Sequence, residues 1–175
     1  STLTRDLNLS LQLAEAGVLG MIVVNMIDEL HDQTLNQLHL TKATGAYVCC
    51  ISAKHKVNIK QSLQPILTNN LHPKTLKISY GTKIDAFIKL WTDKIPKHHI
   101  SQQSLIIQAL LKNQTVLDWL DEHHLLTNFE TSINDANITI NDINQIYRVR
   151  DDLVRQTITY VLQTPSKYQN HIESK

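Results

Sequence analysis

Residues 18–28 read VLGMIVVNMID and residues 45–54 read GAYVCCISAK, and these two stretches decide the fold of the chain. Val18 to Val24 and Tyr47 to Ile51 are short apolar runs rich in β-branched residues, which is typical of strands buried on both faces of a sheet. Gly17 and Gly45 stand just before them, at positions where a helix commonly ends in the left-handed conformation. The pattern therefore predicts two buried strands, each entered from a helix.

Helical periodicity surrounds both strands. A first helix carries Leu3, Leu7, Leu11 and Ala14, a second fits Leu35, Leu38 and Ala43, and a third runs from about Asn58 to Leu67. A strand, helix, strand order predicts a parallel sheet, so residues 1–72 are predicted to form part of an α/β domain. Two strands seldom make a stable sheet, and the exposed sheet edge predicts possible self-association.

Beyond Pro73 the periodicity is almost entirely helical, after one short alternating stretch from Leu76 to Tyr80. One helix uses Ile84, Phe87, Ile88 and Trp91 before Pro96, the next is capped by Ser101, and another runs near Val116 to Leu125. The longest starts near Thr139 or Asn141 and is predicted to stop at Pro165. Residues 73–175 are thus predicted to be an all-α helical bundle domain.

Composition narrows the class of protein. The 175 residues are 42% hydrophobic, and 17 Lys and Arg balance 16 Asp and Glu, so no net charge favours nucleic acid or an anionic membrane. No apolar stretch reaches the roughly 20 residues that cross a bilayer. Cys49 and Cys50 are adjacent, which disfavours an ordinary disulfide between them. We expect a soluble globular protein from a reducing compartment, with no nucleic-acid partner.

Polar residues follow each predicted strand, where parallel sheets bind ligands. The first strand is followed by Asn25 and Asp28, and the second by Ser52, Ala53 and Lys54. A carboxylate there can accept the two parallel hydrogen bonds that a guanine edge offers, and the second turn can supply a backbone N–H for the guanine oxygen. The alternative is that Asp28 simply caps the next helix.

This pair of motifs resembles the fourth and fifth guanine-nucleotide motifs of Ras-like GTPases. Met26 stands where most such proteins have lysine, and an apolar residue there is typical of ferrous iron transport protein B (FeoB), where its stem could cover the base. The flanks agree, since TRDLNLSLQL at residues 4–13 and YRVRDDLV at residues 147–154 are similar to FeoB segments. The resemblance spans nearly the whole chain, although residues 96–141 match only in helical character.

The resemblance implies a fold and a function. In FeoB a cytosolic GTPase domain binds GTP with magnesium and hydrolyses it slowly, and a helical domain stabilises bound GDP. Both lie on the cytoplasmic side of the bacterial inner membrane, joined to a membrane domain that moves ferrous iron. The implied guanine-binding residues are Asn25, Met26, Asp28, Ser52, Ala53 and Lys54. Asp28 would read the guanine edge, and Asn25 would mainly tie loops together.

The phosphate-binding half of such a GTPase is not found in this sequence. The four glycines lie at positions 17, 20, 45 and 81, and no Gly-x-x-x-x-Gly-Lys-Ser/Thr loop occurs. Phosphoryl transfer depends on that loop and on a magnesium ligand. No catalytic residue or magnesium ligand is therefore assigned, and we expect the chain to be an inactive fragment that binds GTP weakly or not at all.

Other features are interpreted structurally. His98-His99 and His123-His124 are adjacent pairs, whereas helical metal ligands recur at i and i+3 or i+4. The best local candidate is Asp121 with His124, to which Glu122 could be added, but it is one small cluster on an ordinary amphipathic helix, so no metal site is predicted. Arg148, Arg150 and Arg155 either face lipid in a full-length transporter or form ion pairs within the bundle.

Two competing functions use different features. In one, the chain is a helical protein-interaction or adaptor module whose α/β part is only scaffold. In the other, it is an RNA-binding GTPase, which would need a Gly-x-x-Gly clamp and a basic face that the sequence does not contain.

Overall fold

The structure, a computed structural model, describes residues 2–25, 27–29 and 34–163. The helices are α1 (Thr2–Ala16), α2 (Gln37–Thr44), α3 (Ile59–Leu67), α4 (Thr82–Thr92), α5 (Gln102–Leu110), α6 (Gln114–Glu122), α7 (Leu126–Asp135) and α8 (Ile140–Val161). The strands are β1 (Met21–Val24), β2 (Thr34–Leu35), β3 (Tyr47–Cys50) and β4 (Leu162–Gln163). Within these described ranges, no helix is both long enough and apolar enough to cross a membrane.

The predicted parallel sheet is present as a pair of strands. β1 pairs with β3 in parallel, with Met21 opposite Tyr47 and Val24 opposite Cys50. β1 begins three residues later than the predicted start at Val18, because the Val18 N–H donates to Leu13 O at 3.1 Å and helps to close the end of α1. An α/β portion followed by helices is therefore confirmed in outline.

Gly17 makes the turn from α1 into the sheet possible. Its φ is +76°, in the left-handed region that side chains disfavour. A Cβ at this position would also lie 2.7 Å from Thr75 Oγ1, so the segment before α4 passes directly over the turn. Glycine is thus required here both by the backbone conformation and by the close approach of a second segment.

Three elements were not anticipated from the sequence. β2 and β4 form a short antiparallel pair, with Leu35 opposite Leu162, so Leu35 lies in a strand rather than in the predicted second helix. α7 was also missed, although its Phe129 is fully buried and contacts Phe87 and Trp91 edge to face at centroid distances of 5.4 and 4.9 Å. The Leu76 to Tyr80 stretch forms no strand. The predicted helix stop at Pro165 lies outside the described residues.

The α8 helix contributes to both hydrophobic cores. Ile146 belongs to the core of the helical bundle, whereas Val154 and Val161 pack with Leu7, Leu11, Leu40 and Val48 against the sheet. A helix of 22 residues extends over about 33 Å, which is long enough to reach both regions. The division into residues 1–72 and 73–175 stays a prediction, because the C-terminal part supplies core to the N-terminal part.

A buried ion pair joins α1 to α8. Arg150 Nη2 lies 2.7 Å from Glu15 Oε2, and the two side chains are 7% and 0% exposed. The hydroxyl of Tyr80 donates to Glu15 Oε1 at 2.8 Å and accepts from Arg150 Nε at 3.1 Å, and Gln103 Nε2 donates to Glu15 Oε1 at 3.1 Å. Each charge is therefore paired and hydrogen-bonded, which a buried ion pair requires.

The backbone at the end of α1 is also completed by residues from the second half of the chain. Leu76 N donates to Ala14 O at 2.9 Å, and Ser101 donates to Ala16 O through its N–H at 2.9 Å and to Glu15 O through its hydroxyl at 2.6 Å. The last carbonyls of a helix have no partner within the helix. The segment before α4 and the start of α5 supply those partners here.

A second polar cluster fixes the start of α8 to α4. Lys83 Nζ donates to the carbonyl of Asn137 and lies 2.8 Å from Asp142 Oδ2, which also accepts from the N–H and the hydroxyl of Thr139 at 2.7 Å each. Thr139 and Asp142 form a reciprocal cap on the helix, as the predicted start near Thr139 requires. The bonds from Lys83 and Thr139 hold the pKa of Asp142 at about 2, below its usual 3.8.

Replacing Arg150 by Met tests the buried ion pair. We expect the free energy of unfolding, measured by urea denaturation, to fall by about 3–5 kcal/mol, because Glu15 is left buried without its counter-charge. The matched control is Lys112→Met, since Lys112 lies 3.9 Å from Glu130 and both side chains are more than half exposed. That exposed pair should change the free energy by less than about 1 kcal/mol. If the two variants lowered the free energy of unfolding by the same amount, burial would not be what makes the Glu15–Arg150 pair important for stability.

Lowering the pH should selectively remove the contribution of Asp142 to the stability of the folded protein. A carboxyl whose pKa is lowered in the folded state stabilises it fully above the unfolded value near 3.8, and the stabilisation is lost as the pH falls toward about 2. Asp142→Asn should therefore lower the melting temperature by about 2–4 °C at pH 6, and by progressively less below pH 4. The exposed Asp135→Asn serves as control, and a difference that stays constant with pH would refute this assignment.

Candidate functional site

The parallel register brings the ends of β1 and β3 together. Beyond the last strand pair, Ile51 N donates to Val24 O at 2.8 Å, and Ile27 N donates to Ile51 O at 3.3 Å. The backbone hydrogen bonds thus continue past both strands, into the turns that carry the predicted site residues. The two motifs therefore meet at the carboxyl ends of the two strands, as their positions after parallel strands predicted.

Asn25 connects the two turns. Its Oδ1 accepts the Ala53 N–H at 3.0 Å, across 28 residues of sequence. This contact matches the loop-tying role expected for Asn25. A backbone N–H of the second turn was expected to donate to the guanine oxygen, but the Ala53 N–H is already donated to Asn25 in this structure. A base would have to share that donor or use another N–H of the same turn.

Asp28 lies in a single 3₁₀ turn, Ile27–Glu29, at the end of β1. The alternative interpretation, in which Asp28 caps the next helix, is wrong, because Asn36 caps α2 through its side chain and accepts from His39 N at 2.9 Å. The carboxylate of Asp28 has 24% of its side-chain surface exposed. It is therefore held near the sheet and is still open to a ligand.

Hydrogen bonds and nearby charges favour the ionised form of Asp28. The Ser52 hydroxyl has the largest effect in holding the pKa of Asp28 below its usual value, and the backbone N–H of Asp28 itself, His55 and Lys54 act in the same direction. Partial burial opposes them. The result is a carboxylate that carries its charge at neutral pH, which is the form that accepts two N–H donors.

The 52–57 loop, defined by Ser52 to Val57, is closed by its own backbone. Ser52 and Val57 exchange two hydrogen bonds, N to O at 3.3 Å and 2.9 Å, and Lys56 N donates to Ala53 O at 3.3 Å. Lys56 takes a left-handed φ of +56° to complete the turn. Ser52 is buried, whereas Ala53 and Lys54 are exposed. The loop thus presents a fixed, solvent-facing surface beside Asp28.

Sequence reasoning missed two residues that shape this site. His55 Nε2 lies 3.4 Å from Asp28 Oδ2, and the Asn58 side-chain amide donates to Cys50 O at 3.0 Å, which pins the loop to the end of β3. His55 directly follows Lys54, so extending the motif by one residue would have found it. Met26, which the resemblance places beside the base, lies outside the described residues.

The cysteines, Arg150 and the tryptophans have structural surroundings. Cys49 and Cys50 are free and buried, and burial raises the pKa of Cys50, as expected of structural thiols. Arg150 forms an ion pair, which decides between the two interpretations of that residue. Trp91 is buried in the core, whereas the rings of Trp119 and His123 lie 4.3 Å apart and are tilted by 39°. In the part of the chain that the structure describes, no group of three or more His, Cys, Asp or Glu could hold a metal ion.

Comparison with known proteins identifies relatives by structure. No family model matches the chain. No curated protein matches it by sequence. A mutant of S. thermophilus NFeoB with GDP bound superposes with a TM-score of 0.72 at 19% identity, covering 92% of this chain and 65% of that one. The cytosolic domain of L. pneumophila FeoB gives 0.67 at 18%, covering 90% and 62%. That of T. maritima FeoB in its GMPPNP form gives 0.65 at 15%, covering 91% and 63%.

These structures establish a shared fold. The chain spans less than two thirds of the length of each FeoB structure it matches, while about nine tenths of the chain itself is covered. The resemblance to FeoB that the motifs indicated is thus confirmed at the level of fold. Because about nine tenths of the chain is covered, the match is not confined to the two motifs.

Replacing Asn25 by Ala tests the link between the two turns. Loss of Oδ1 should leave the Ala53 N–H without a protein acceptor, so we expect faster hydrogen exchange at the Ala53 amide, measured by NMR. The free energy of unfolding should fall by about 0.5–1.5 kcal/mol. Asn128→Ala, an exposed position on α7, is the control. Unchanged exchange at Ala53 in Asn25→Ala would contradict the link.

Proposed function

We propose that this chain is part of the cytosolic GTP-binding region of a FeoB-type ferrous iron transporter, and that it carries the guanine-recognition half of the GTPase domain with the helical domain. The observation that carries this proposal is the meeting of Asn25 and Asp28 with the Ser52 to Lys54 turn at the ends of two parallel strands. The shared fold supports it, because solved FeoB cytosolic domains bind GDP and GMPPNP in the same architecture.

The chemistry of the donor set fits a guanine base. An ionised carboxylate at Asp28 accepts from the ring N–H and the exocyclic amine of guanine, and adenine has no such pair of donors. Ser52 orients the carboxylate, Asn25 holds the two turns together, and Ala53 and Lys54 form the exposed surface of the loop. Met26 is assigned beside the base from the motif. These six residues are proposed as the base site.

The same residues do not fit the phosphates or a magnesium ion. The sequence has no glycine-rich loop for the phosphates, and no residue of this chain is assigned to magnesium, which the whole transporter would use for hydrolysis. We therefore assign base recognition to this chain, and hydrolysis to a part of the GTPase domain that lies outside the sequence. A membrane domain of the same polypeptide and a place at the cytoplasmic face of the inner membrane belong to the same proposal.

The small size of the parallel sheet supports the proposal that another part of the GTPase domain binds the phosphates. Among the described strands, β1 pairs only with β3, so the other backbone edge of β1 is unpaired in this part of the chain, and the Val23 side chain is 47% exposed. A largely apolar cavity of about 440 Å³ lies beside it, lined in part by Leu3, Ile22 and Val24. We propose that further strands of the GTPase domain cover this edge. Without those further strands, the edge could pair with the same edge of a second copy of the chain. This self-association stays a prediction.

The chain should not bind GDP tightly. Base contacts remain while phosphate contacts are missing, so titration with a fluorescent GDP analogue should give no saturation in the low-micromolar range. A low-micromolar dissociation constant would contradict the proposed division between base and phosphate recognition.

Guanosine tests the base site directly, because it carries no phosphate. We expect weak, saturable changes in the NMR signals of Ala53 and Lys54 with guanosine, and none with adenosine. Asp28→Asn should weaken guanosine binding about tenfold or more, because hydrogen bonds to a charged group contribute about 1.5–3 kcal/mol. Asp121→Asn, an exposed residue on α6, is the matched control. Equal responses to guanosine and adenosine would favour the adaptor function instead.

A further inference from the structure

We propose that His55 is a gating residue of the base site, which competes with a guanine base for the carboxylate of Asp28. The inference rests on the proposed function and adds a residue and a form of regulation to the same site. The motifs do not contain His55, and its role follows from the position of its ring in the structure.

The position of His55 is set by the loop that carries it. Its backbone N–H donates to Ser52 Oγ at 3.2 Å, and its Nε2 lies 3.4 Å from Asp28 Oδ2. The imidazole is 55% exposed, so solvent reaches the ring while its Nε2 stays close to the carboxylate. Because the side chain is attached to a turn closed by its own backbone, it can rotate away without any change in the loop.

The carboxylate cannot serve all its partners at once. Two oxygens offer about four lone-pair positions. The Ser52 hydroxyl and the backbone N–H of Asp28 use two of them, and a guanine edge that binds through two parallel N–H groups needs the other two, one on each oxygen. His55 Nε2 lies 3.4 Å from Oδ2, where it takes one of the positions that the base needs. A base that makes both bonds must therefore displace the imidazole from Oδ2.

The strength of this competition depends on the charge of the imidazole. A neutral ring offers at most one weak hydrogen bond to Asp28, whereas a protonated ring forms an ion pair with it. Among the described residues, Lys54 also acts on Asp28 with a positive charge. Histidine is the side chain that ordinarily changes its charge between pH 5 and 8. Varying the pH in this range therefore separates the effect of His55 from that of Lys54.

The experiment is a titration of the whole chain with guanosine at pH 8.0 and pH 5.5, followed through the NMR signals of Ala53 and Lys54. For the unchanged protein we expect the affinity to fall about two- to fivefold on acidification, the range that an exposed ion pair supports. His55→Gln keeps a polar side chain without a titrating charge, and should bind guanosine with the same affinity at both pH values. His72→Gln replaces an exposed histidine elsewhere in the chain, and should behave as the unchanged protein does.

The outcomes separate this inference from the proposed function. If guanosine binds and His55→Gln shows the same loss of affinity at pH 5.5 as the unchanged protein, the gating role is overturned and the base site stands. If no variant responds to guanosine at either pH, the base site itself is overturned, and the gating role with it. Because the His55 side chain is exposed, the substitution should leave folding intact, which the unchanged signals of buried residues such as Trp91 would verify.

Discussion

The pairing of Glu15 with Arg150 is the interaction on which the rest of the structure depends. Removing two charges from water costs several kcal/mol per ion, so the pair persists only because Tyr80 and Gln103 complete its hydrogen bonds. Glu15 stands two residues before the turn at Gly17, which leads into β1. The pair therefore sets where the first strand begins relative to the helices, and the position of the candidate site follows from it.

The long helix α8 extends that constraint along the whole molecule. It carries Arg150 between two apolar contacts, Ile146 in the bundle core and Val154 against the sheet. Its last residue, Val161, accepts from Asn36 N at 2.8 Å, and β4 then pairs with β2 just before α2. The helices on one side of the sheet are thus fixed to the bundle. In the described part of the chain the parallel sheet has two strands, and their helical neighbours hold it in place more than their own pairing does.

The candidate site uses this fixed frame to hold a charged group at the edge of the sheet. Ser52 is buried and orients Asp28, while Asn25 takes the N–H of Ala53 and joins the two turns. The hydrogen bond to Asn25 holds the two turns together, and it occupies the Ala53 N–H, which is then not free to donate to a ligand. The proposed recognition of a flat, donor-bearing base edge depends on this arrangement.

The sequence by itself determined the strands β1 and β3, the ends of most helices and the polar residues of the two turns that follow these strands. These follow from short-range causes: apolar periodicity, a glycine at Gly17, and the cap formed by Thr139 with Asp142. Only the tertiary structure decided that Arg150 meets Glu15, 135 residues away, that β2 pairs with β4, and that His55 lies against Asp28. α7 does not belong to this class, because Leu126, Phe129 and Ile133 recur at helical spacing and pack in the bundle core, so its sequence carries the pattern that was missed. Local patterns encode which face of an element is apolar, whereas the choice of a distant partner depends on how the faces pack together.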